Sequence, residues 1–159
     1  MTCPEWSEVQ EDWEPDGSLR DVYVRDVNET DWQRVVDLIR TREWATSYTE
    51  DGNPVAMPNP VGEIFARGKR AAILWQIEPA GGIRVNCHFF DPAEIEFDLD
   101  PREVVGQAAL DVLCGFVRLV GSVLQKAVVV SEENSPDAAI MSYDPATDAI
   151  IRSPFPFAS

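Results

Sequence analysis

The single histidine of the chain, His88, lies in a stretch where polar and apolar residues alternate, as they do in a half-buried β-strand. The polar face of this stretch would hold Arg84, Asn86 and His88. The next stretch alternates in the same way, and its polar face would hold Glu94, Glu96 and Asp98. If the two strands pair across the turn at residues 91–93, His88 lies opposite or near Glu96. A carboxylate in that position orients an imidazole and raises its pKa, which suits a general acid or base.

Ordinary cross-strand pairs on a solvated sheet face account for the same residues, and we favour this interpretation. Cys87 points to the opposite face, so Cys87 and His88 do not form a thiolate–imidazole pair. Alternating carboxylates could hold a hard cation or hydrolyse a glycoside, but the calcium-loop pattern is absent. A nucleophile elbow, a P-loop and a dinucleotide-binding glycine motif are absent too. The sequence therefore predicts no catalytic residue, no cofactor and no metal site.

Acidic residues dominate the composition. Among 159 residues, 28 Asp and Glu stand against 13 Lys and Arg, which gives a formal net charge of −15. Such a charge repels nucleic acid and anionic lipid, so neither a nucleic acid nor a membrane is expected as a partner. Residues 1–17 carry acids and no basic residue, and they also hold Trp6 and Trp13. We expect this N-terminal arm to lie against the body at the two tryptophans, which either anchor it or belong to an interface.

The sequence favours a cytoplasmic location. The N-terminus has neither the basic nor the apolar region of a signal peptide. Residues 104–130 are the most apolar stretch, but charges and glycines interrupt it, so we interpret it as a buried helix. Three cysteines without a short spacing argue against a disulfide framework and against a zinc site. We therefore expect a reducing compartment, with Cys87 and Cys114 filling the core.

Two helices stand out in the sequence. Thr30 and Gln33 form a capping-box pattern at the start of a helix over residues 31–42. Asp100 is a suitable N-cap for a much longer helix over residues 101–126. Most of the circumference of this longer helix is apolar, so it should be packed on more than one side.

The other segments read as strands, turns and one short helix. Strands are predicted over residues 19–27, 44–49, 71–78, 83–90, 94–99, 128–131, 139–143 and 149–152, and a short helix over residues 60–67. Glu132 and Glu133 begin a predicted loop over residues 132–136, and loops after strands often carry function.

These elements predict an α+β fold, with an antiparallel sheet of about five to seven strands and the two helices packed on it. The whole chain, residues 1–159, should form one domain. Its ends are the acidic arm at residues 1–17 and an extended tail at residues 153–159.

The run EIEFDLDPREV, the apolar helix after it, the run VVVSEENSP and the closing hairpin resemble bacterial immunity proteins, which neutralise polymorphic or contact-delivered toxins. The resemblance covers residues 70–152 as a pattern of elements. It implies stoichiometric inhibition of a cognate toxin in the cytoplasm, and a basic toxin would suit the charge. The residues expected to contact the partner are Arg84, His88, Glu94, Glu96, Asp98, Glu132, Glu133, Trp6 and Trp13.

Two other classes of protein remain open. An acidic secretion chaperone of similar size would form a homodimer and bind an effector segment without inhibiting it, whereas an immunity protein could be a monomer or a homodimer. A small enzyme would use His88. We rank the enzyme last, and expect a protein that is not an enzyme, because no second nucleophile–base pair accompanies the one histidine.

Overall fold

A computed structural model of the chain describes residues 3–152, so the predicted tail at residues 153–159 lies outside the described residues. The strands, numbered in chain order, are β1 Arg20–Arg25, β2 Ala45–Glu50, β3 Asn53–Pro54, β4 Ile73–Ala80, β5 Ile83–Cys87, β6 Glu94–Leu99, β7 Val128–Glu132, β8 Ser135–Asp144 and β9 Ala149–Arg152. The helices are α1 Trp6–Val9, α2 Glu29–Arg40, α3 Val61–Gly68 and α4 Gln107–Leu124, with short 3-10 turns at Gln10–Trp13 and Pro101–Glu103.

All these strands belong to one antiparallel sheet, in the spatial order β3-β2-β4-β5-β6-β1-β7-β8-β9. The longest helix, α4, packs on the sheet, and the predicted α+β class is confirmed. Within residues 3–152 the sheet has nine strands rather than the five to seven expected. The difference arises because β1 lies between β6 and β7, which joins the strands before α4 to the strands after it.

One face of the sheet is apolar and packs against the helices, and α4 is central to this contact. Phe97 of β6 meets Phe116 of α4 edge-on, with ring centroids 5.0 Å apart, and both side chains are buried. At Gly121 a Cβ atom would overlap the ring of Tyr143, so glycine is what allows α4 to approach β8 closely. By length and composition alone α4 would also suit a membrane span, a property that buried core helices share.

The long helix is shorter than predicted. Asp100 accepts a hydrogen bond from Arg102 N at 2.9 Å, but it caps the 3-10 turn Pro101–Glu103 rather than α4. Gly106 follows with φ of 90°, a left-handed conformation that separates the turn from the helix. As a result Val105 is left outside the helix and exposed. The sequence pattern predicted one continuous helix because the segment before Gly106 and α4 are both apolar.

The cap of α2 also differs from the prediction. Asn28 accepts from Asp31 N at 2.9 Å, and the Asp31 carboxylate accepts from Asn28 N at 3.2 Å, so the helix begins earlier than residue 31. The expected cap partner, Gln33, instead accepts from Val61 N at 2.7 Å. Gln33 thereby joins α2 to the start of α3 rather than capping its own helix.

The acidic arm packs against the body, and a disulfide between Cys3 and Cys114 fixes its beginning to α4. The prediction that the cysteines form no disulfide was wrong, because the partners are 111 residues apart and spacing rules detect only local pairs. Trp13 is buried and Trp6 half-buried against the core, as expected for anchors. The Gln107 side chain accepts from Trp6 N at 2.6 Å.

Arg20, the first residue of β1, holds the rest of the arm. Its guanidinium is buried and donates to Asp12 O at 2.9 Å, to Glu14 O at 3.0 Å and to the Asp16 carboxylate at 3.2 Å. A buried arginine satisfied by backbone carbonyls fixes the path of the segment that supplies them. The arm is therefore a structural part of the domain.

Candidate functional site

The candidate site lies on the face of the sheet opposite to α4, where three carboxylates of adjacent strands meet. Tyr23 of β1 pairs with Glu96 of β6, and Asp21 pairs with Asp98. Because side chains two residues apart share a face, all four point to this outer face. We call Asp21, Glu96 and Asp98 the carboxylate cluster.

Asp98 is held by a ladder of amide hydrogen bonds across three strands. Its Oδ1 accepts from Asn86 Nδ2 at 3.0 Å, and Asn86 Oδ1 accepts from Gln76 Nε2 at 3.0 Å. Its Oδ2 lies 3.0 Å from His88 Nε2. With 8% of its surface exposed, Asp98 is a buried carboxylate whose hydrogen bonds fix its orientation.

Asp21 is even less exposed, at 3%. Its Oδ2 accepts from the Tyr23 hydroxyl at 2.8 Å and from Asn134 N at 2.7 Å. Asn134 belongs to a two-residue turn between β7 and β8, with φ of 56°. The segment predicted as a loop over residues 132–136 is this tight turn, and its backbone serves Asp21.

The carboxylates of the cluster repel one another. The pKa of Asp21 is raised by burial, against hydrogen bonds from Asn134 and Tyr23, and the nearby charge of Asp98 raises it further. Burial also raises the pKa of Glu96, and the charge of Asp21 adds to the effect. The groups that act most strongly on these two carboxyls include other carboxylates and no Lys or Arg.

His88 lies beside the cluster and could carry a positive charge. Its partner is Asp98, on the diagonal, and not Glu96 as the direct pairing suggested. The hydrogen bond to Asp98 raises the pKa of His88, while partial burial lowers it. The ring of Phe90 stacks on the imidazole with centroids 4.9 Å apart, and Phe90 is 69% exposed. An exposed aromatic ring therefore borders the carboxylate cluster, and we call the two together the acidic site.

Two of the residues predicted to contact a partner form ion pairs within the protein, at the border of this face. Arg84 is exposed and forms a bidentate pair with Glu103, whose Oε2 lies 3.0 Å from Arg84 Nη2. Glu94 lies 3.8 Å from the guanidinium of Arg25. Neither charge is free of a partner, so both contribute less to the outer potential than the sequence suggested.

Of the remaining predicted residues, Glu133 lies close enough to Asp21 for its charge to raise the pKa of that carboxyl, and the others lie away from the cluster or inside the protein. Glu132 is exposed at the end of β7, and Glu133 accepts from Leu19 N at 2.9 Å. Trp13 is 2% exposed, so its side chain anchors the arm and is not available to a partner. Trp6 is half-buried against the core. The interpretation of the tryptophans as anchors is the one that fits the structure.

Sequence reasoning missed Asp21, Tyr23 and Phe90. Asp21 and Tyr23 alternate with valines in a segment that was predicted as a strand, so their shared face could have been found. Their position beside Glu96 could not have been predicted, because the pairing of β1 with β6 is long-range. Phe90 is the last residue of the strand predicted over residues 83–90, and the two-residue period puts it on the same face as His88, so its position could have been found.

The chemistry open to the acidic site is recognition of positive charge. Within residues 3–152, no group of three or more His, Cys, Asp or Glu side chains is arranged to hold a metal ion. The thiol of Cys87 is buried on the opposite face, and burial raises its pKa, so it does not assist His88. Carboxylates and an exposed aromatic ring are, by contrast, the groups that bind Lys and Arg side chains.

Comparison of the chain with protein-family models, with curated proteins and with solved structures gave no match in any of the three.

Proposed function

We propose that this protein binds a basic protein partner through the acidic site, and that it acts in the cytoplasm as an immunity protein that neutralises a cognate toxin by stoichiometric binding. The resemblance of residues 70–152 to immunity proteins supplies the class of partner. The geometry of the acidic site supports this choice of binding surface and of a positively charged partner.

One observation carries the proposal: within residues 3–152, no Lys or Arg is among the groups that act most strongly on Asp21 and Glu96. Burial raises the cost of ionising both Asp21 and Glu96; the charge of Asp98 adds to the cost at Asp21, and the charge of Asp21 adds to it at Glu96. Keeping such groups ionised reduces the stability of the free protein. A guanidinium or ammonium group of a partner would remove the repulsion, so the free energy that is lost in isolation is recovered on binding.

Phe90 adds an apolar anchor to this surface. Aromatic residues are enriched at the centres of protein interfaces, where their burial contributes most to binding. The stacked pair of Phe90 and His88 also presents a ring face to an incoming cation. The overall charge of −15 would speed the encounter with a basic partner.

The experiment pairs the protein with the toxin domain encoded by the neighbouring reading frame of its native host. Growth rescue in cells that express the toxin measures neutralisation, and isothermal titration calorimetry measures the stoichiometry. We expect one-to-one binding and rescue, both lost in Glu96→Lys with Phe90→Ala.

Glu63→Lys is the matched control, because it changes the net charge by the same amount on an exposed position of α3. It should bind and rescue like the wild type. Equal rescue by the acidic-site variant and the control would contradict the proposal. A stable homodimer that binds an effector segment without inhibiting it would favour the secretion-chaperone alternative instead.

A further inference from the structure

His88 can change the charge of the acidic site near neutral pH. It is the single histidine of the chain, and an imidazole titrates between about pH 5 and pH 8. Its Nε2 lies 3.0 Å from Oδ2 of Asp98, a member of the carboxylate cluster. The side chain is 30% exposed, so the ring exchanges protons with the solvent while it remains in contact with Asp98.

A protonated His88 gives the acidic site a cation of its own. Both ring nitrogens are then donors, and Nε2 donates to Asp98, so that imidazolium and carboxylate form an ion pair. The net negative charge around the cluster falls by one. A positively charged partner is therefore attracted less strongly when His88 is protonated than when it is neutral.

The same carboxylates that would attract a partner also attract the proton of His88. The hydrogen bond to Asp98 raises the pKa of His88, burial lowers it, and the charges of Asp98 and Glu96 raise it again. From β4, a hydrogen bond with the backbone of Ile73 acts in the same direction as Asp98. Proton and partner thus compete for one set of negative charges. The other charged or titratable side chains of this face are Glu78 of β4, Asp21 and Tyr23 of β1, Glu133 near Asp21, and the ion pairs of Arg25 with Glu94 and of Arg84 with Glu103.

Phe90 connects the charge of His88 to the surface where a partner would dock. The two rings stack with centroids 4.9 Å apart and 12° between their planes, and Phe90 is 69% exposed. A protonated imidazole in this position occupies one face of the phenyl ring as the cation of a cation–π contact. A Lys or Arg of a partner that approaches the other face then meets a like charge directly behind the ring.

We propose that His88 makes the acidic site a pH-dependent binding surface. Neutral His88 leaves the carboxylate cluster free to bind a Lys or Arg of the partner, whereas protonated His88 takes the place of that cation and weakens binding. This inference rests on the function proposed for the acidic site and adds the regulation of that site. A change of one unit charge next to the bound cation corresponds to about a three- to tenfold change in affinity.

The test titrates a tri-arginine peptide with blocked ends into the 15N-labelled protein, at physiological salt, at about pH 5.5 and about pH 8. Two amides report on the site by NMR: the Asn86 side chain donates to Asp98, and the Asn134 backbone donates to Asp21. The Ser18 backbone amide donates to Asp16 in the arm, and it reports on binding elsewhere. At the two site amides we expect an affinity about three- to tenfold higher at the higher pH.

Two substitutions fix the charge of His88. His88→Gln keeps a hydrogen-bond donor for Asp98 without a charge, and His88→Lys keeps a positive charge at both pH values. At both pH values the glutamine variant should bind the peptide as the wild type does at the higher pH. The lysine variant should bind it as the wild type does at the lower pH.

The outcomes separate this inference from the function on which it rests. If the wild type binds at the site amides equally well at both pH values, the inference is wrong while the proposed binding surface stands. If His88→Gln retains the full pH dependence, protonation of the carboxyls accounts for it, and the inference is again wrong. If the peptide shifts neither site amide at the higher pH, the proposed binding surface fails and the inference fails with it.

Discussion

Glu96→Gln should make the free protein more stable, although it removes a charge from the proposed binding site. The side chain of Glu96 is half-buried. Asp21 of the neighbouring strand β1 and Asp98 of the same strand, β6, lie on the same face of the sheet. Glutamine keeps the size and the hydrogen-bond acceptor of glutamate and removes only the negative charge. The substitution therefore isolates the cost of repulsion within the carboxylate cluster.

The expected gain follows from the number of like-charge neighbours. Like charges on one face of a sheet destabilise it by about 0.2–1 kcal/mol per pair. Three carboxylates act on Glu96, namely Asp21, Glu94 and Asp98, and Glu94 is partly compensated by Arg25. Counting the other two, the free energy of unfolding at pH 7 should rise by about 0.4–2 kcal/mol. For a protein of this length that corresponds to an increase in Tm of about 1–8 °C.

The gain should depend on pH. The pKa of Glu96 is raised above its ordinary value of 4.5 by burial and by the charge of Asp21. A raised pKa means that the carboxyl costs no stability below the unfolded pKa, where it is protonated in both states. The cost grows as the pH rises from the unfolded pKa towards the raised folded pKa, and it reaches its full size above the folded pKa. The difference between Glu96→Gln and wild type should therefore vanish near pH 4 and reach its full size at pH 7.

Urea denaturation of both proteins at the two pH values measures this difference. Glu43→Gln is the control, since Glu43 is exposed, makes no hydrogen bond or ion pair within the described residues, and changes the net charge equally. It should stay within about 0.5 kcal/mol of wild type. A loss of stability in Glu96→Gln at pH 7, or a gain of the same size at pH 4, would refute the reasoning.

Further predictions concern the histidine and the arm. NMR titration of the His88 ring should give a pKa above 6.5, and Asp98→Asn should lower it; the stability from this contact is present below pH 6.5 and is lost as the pH rises through the raised pKa. Cys3→Ser, or reduction of the Cys3–Cys114 disulfide, should lower the free energy of unfolding by about 2–5 kcal/mol, measured in urea, with unchanged stability as the contrary result. Arg20→Ala should cost about 1–3 kcal/mol and open the arm to limited proteolysis, because the carbonyls of Asp12 and Glu14 lose their donor; an arm that stays protected would contradict this.

Local patterns in the sequence predicted much of the fold. The alternation in β5 and β6 placed Asn86, His88, Glu96 and Asp98 on one polar face, and the structure has them there. This worked because a half-buried strand imposes a two-residue period that can be read in the sequence. The α+β class followed from the same alternation together with the long apolar helix.

Long-range relations were not predictable in the same way. The pairing of β1 with β6 brings Asp21 to the carboxylate cluster, and no local pattern encodes that pairing. The Cys3–Cys114 disulfide joins residues far apart in the sequence. The predicted start of the long helix was wrong for a local reason. Gly106, in a left-handed conformation, interrupts a continuous apolar run.

The disulfide also bears on the predicted compartment. Unpaired cysteines would indicate a reducing compartment, but Cys3 and Cys114 are paired. Disulfides persist mainly in oxidising compartments. Of the three cysteines only Cys87 remains a free thiol, and it is buried. The cytoplasmic location proposed here therefore depends on the resemblance to immunity proteins and no longer on the cysteines.

Site-specific photo-crosslinking in the native host tests the central claim most directly. The photoreactive residue benzoylphenylalanine would replace Phe90 in the acidic site or, as a control, Val105, which is equally exposed at 69% and lies outside it. We expect position 90 to capture one basic protein, position 105 to capture none, and Glu96→Lys to abolish the capture. The absence of a crosslinked protein at position 90, or the same proteins at both positions, would contradict the claim.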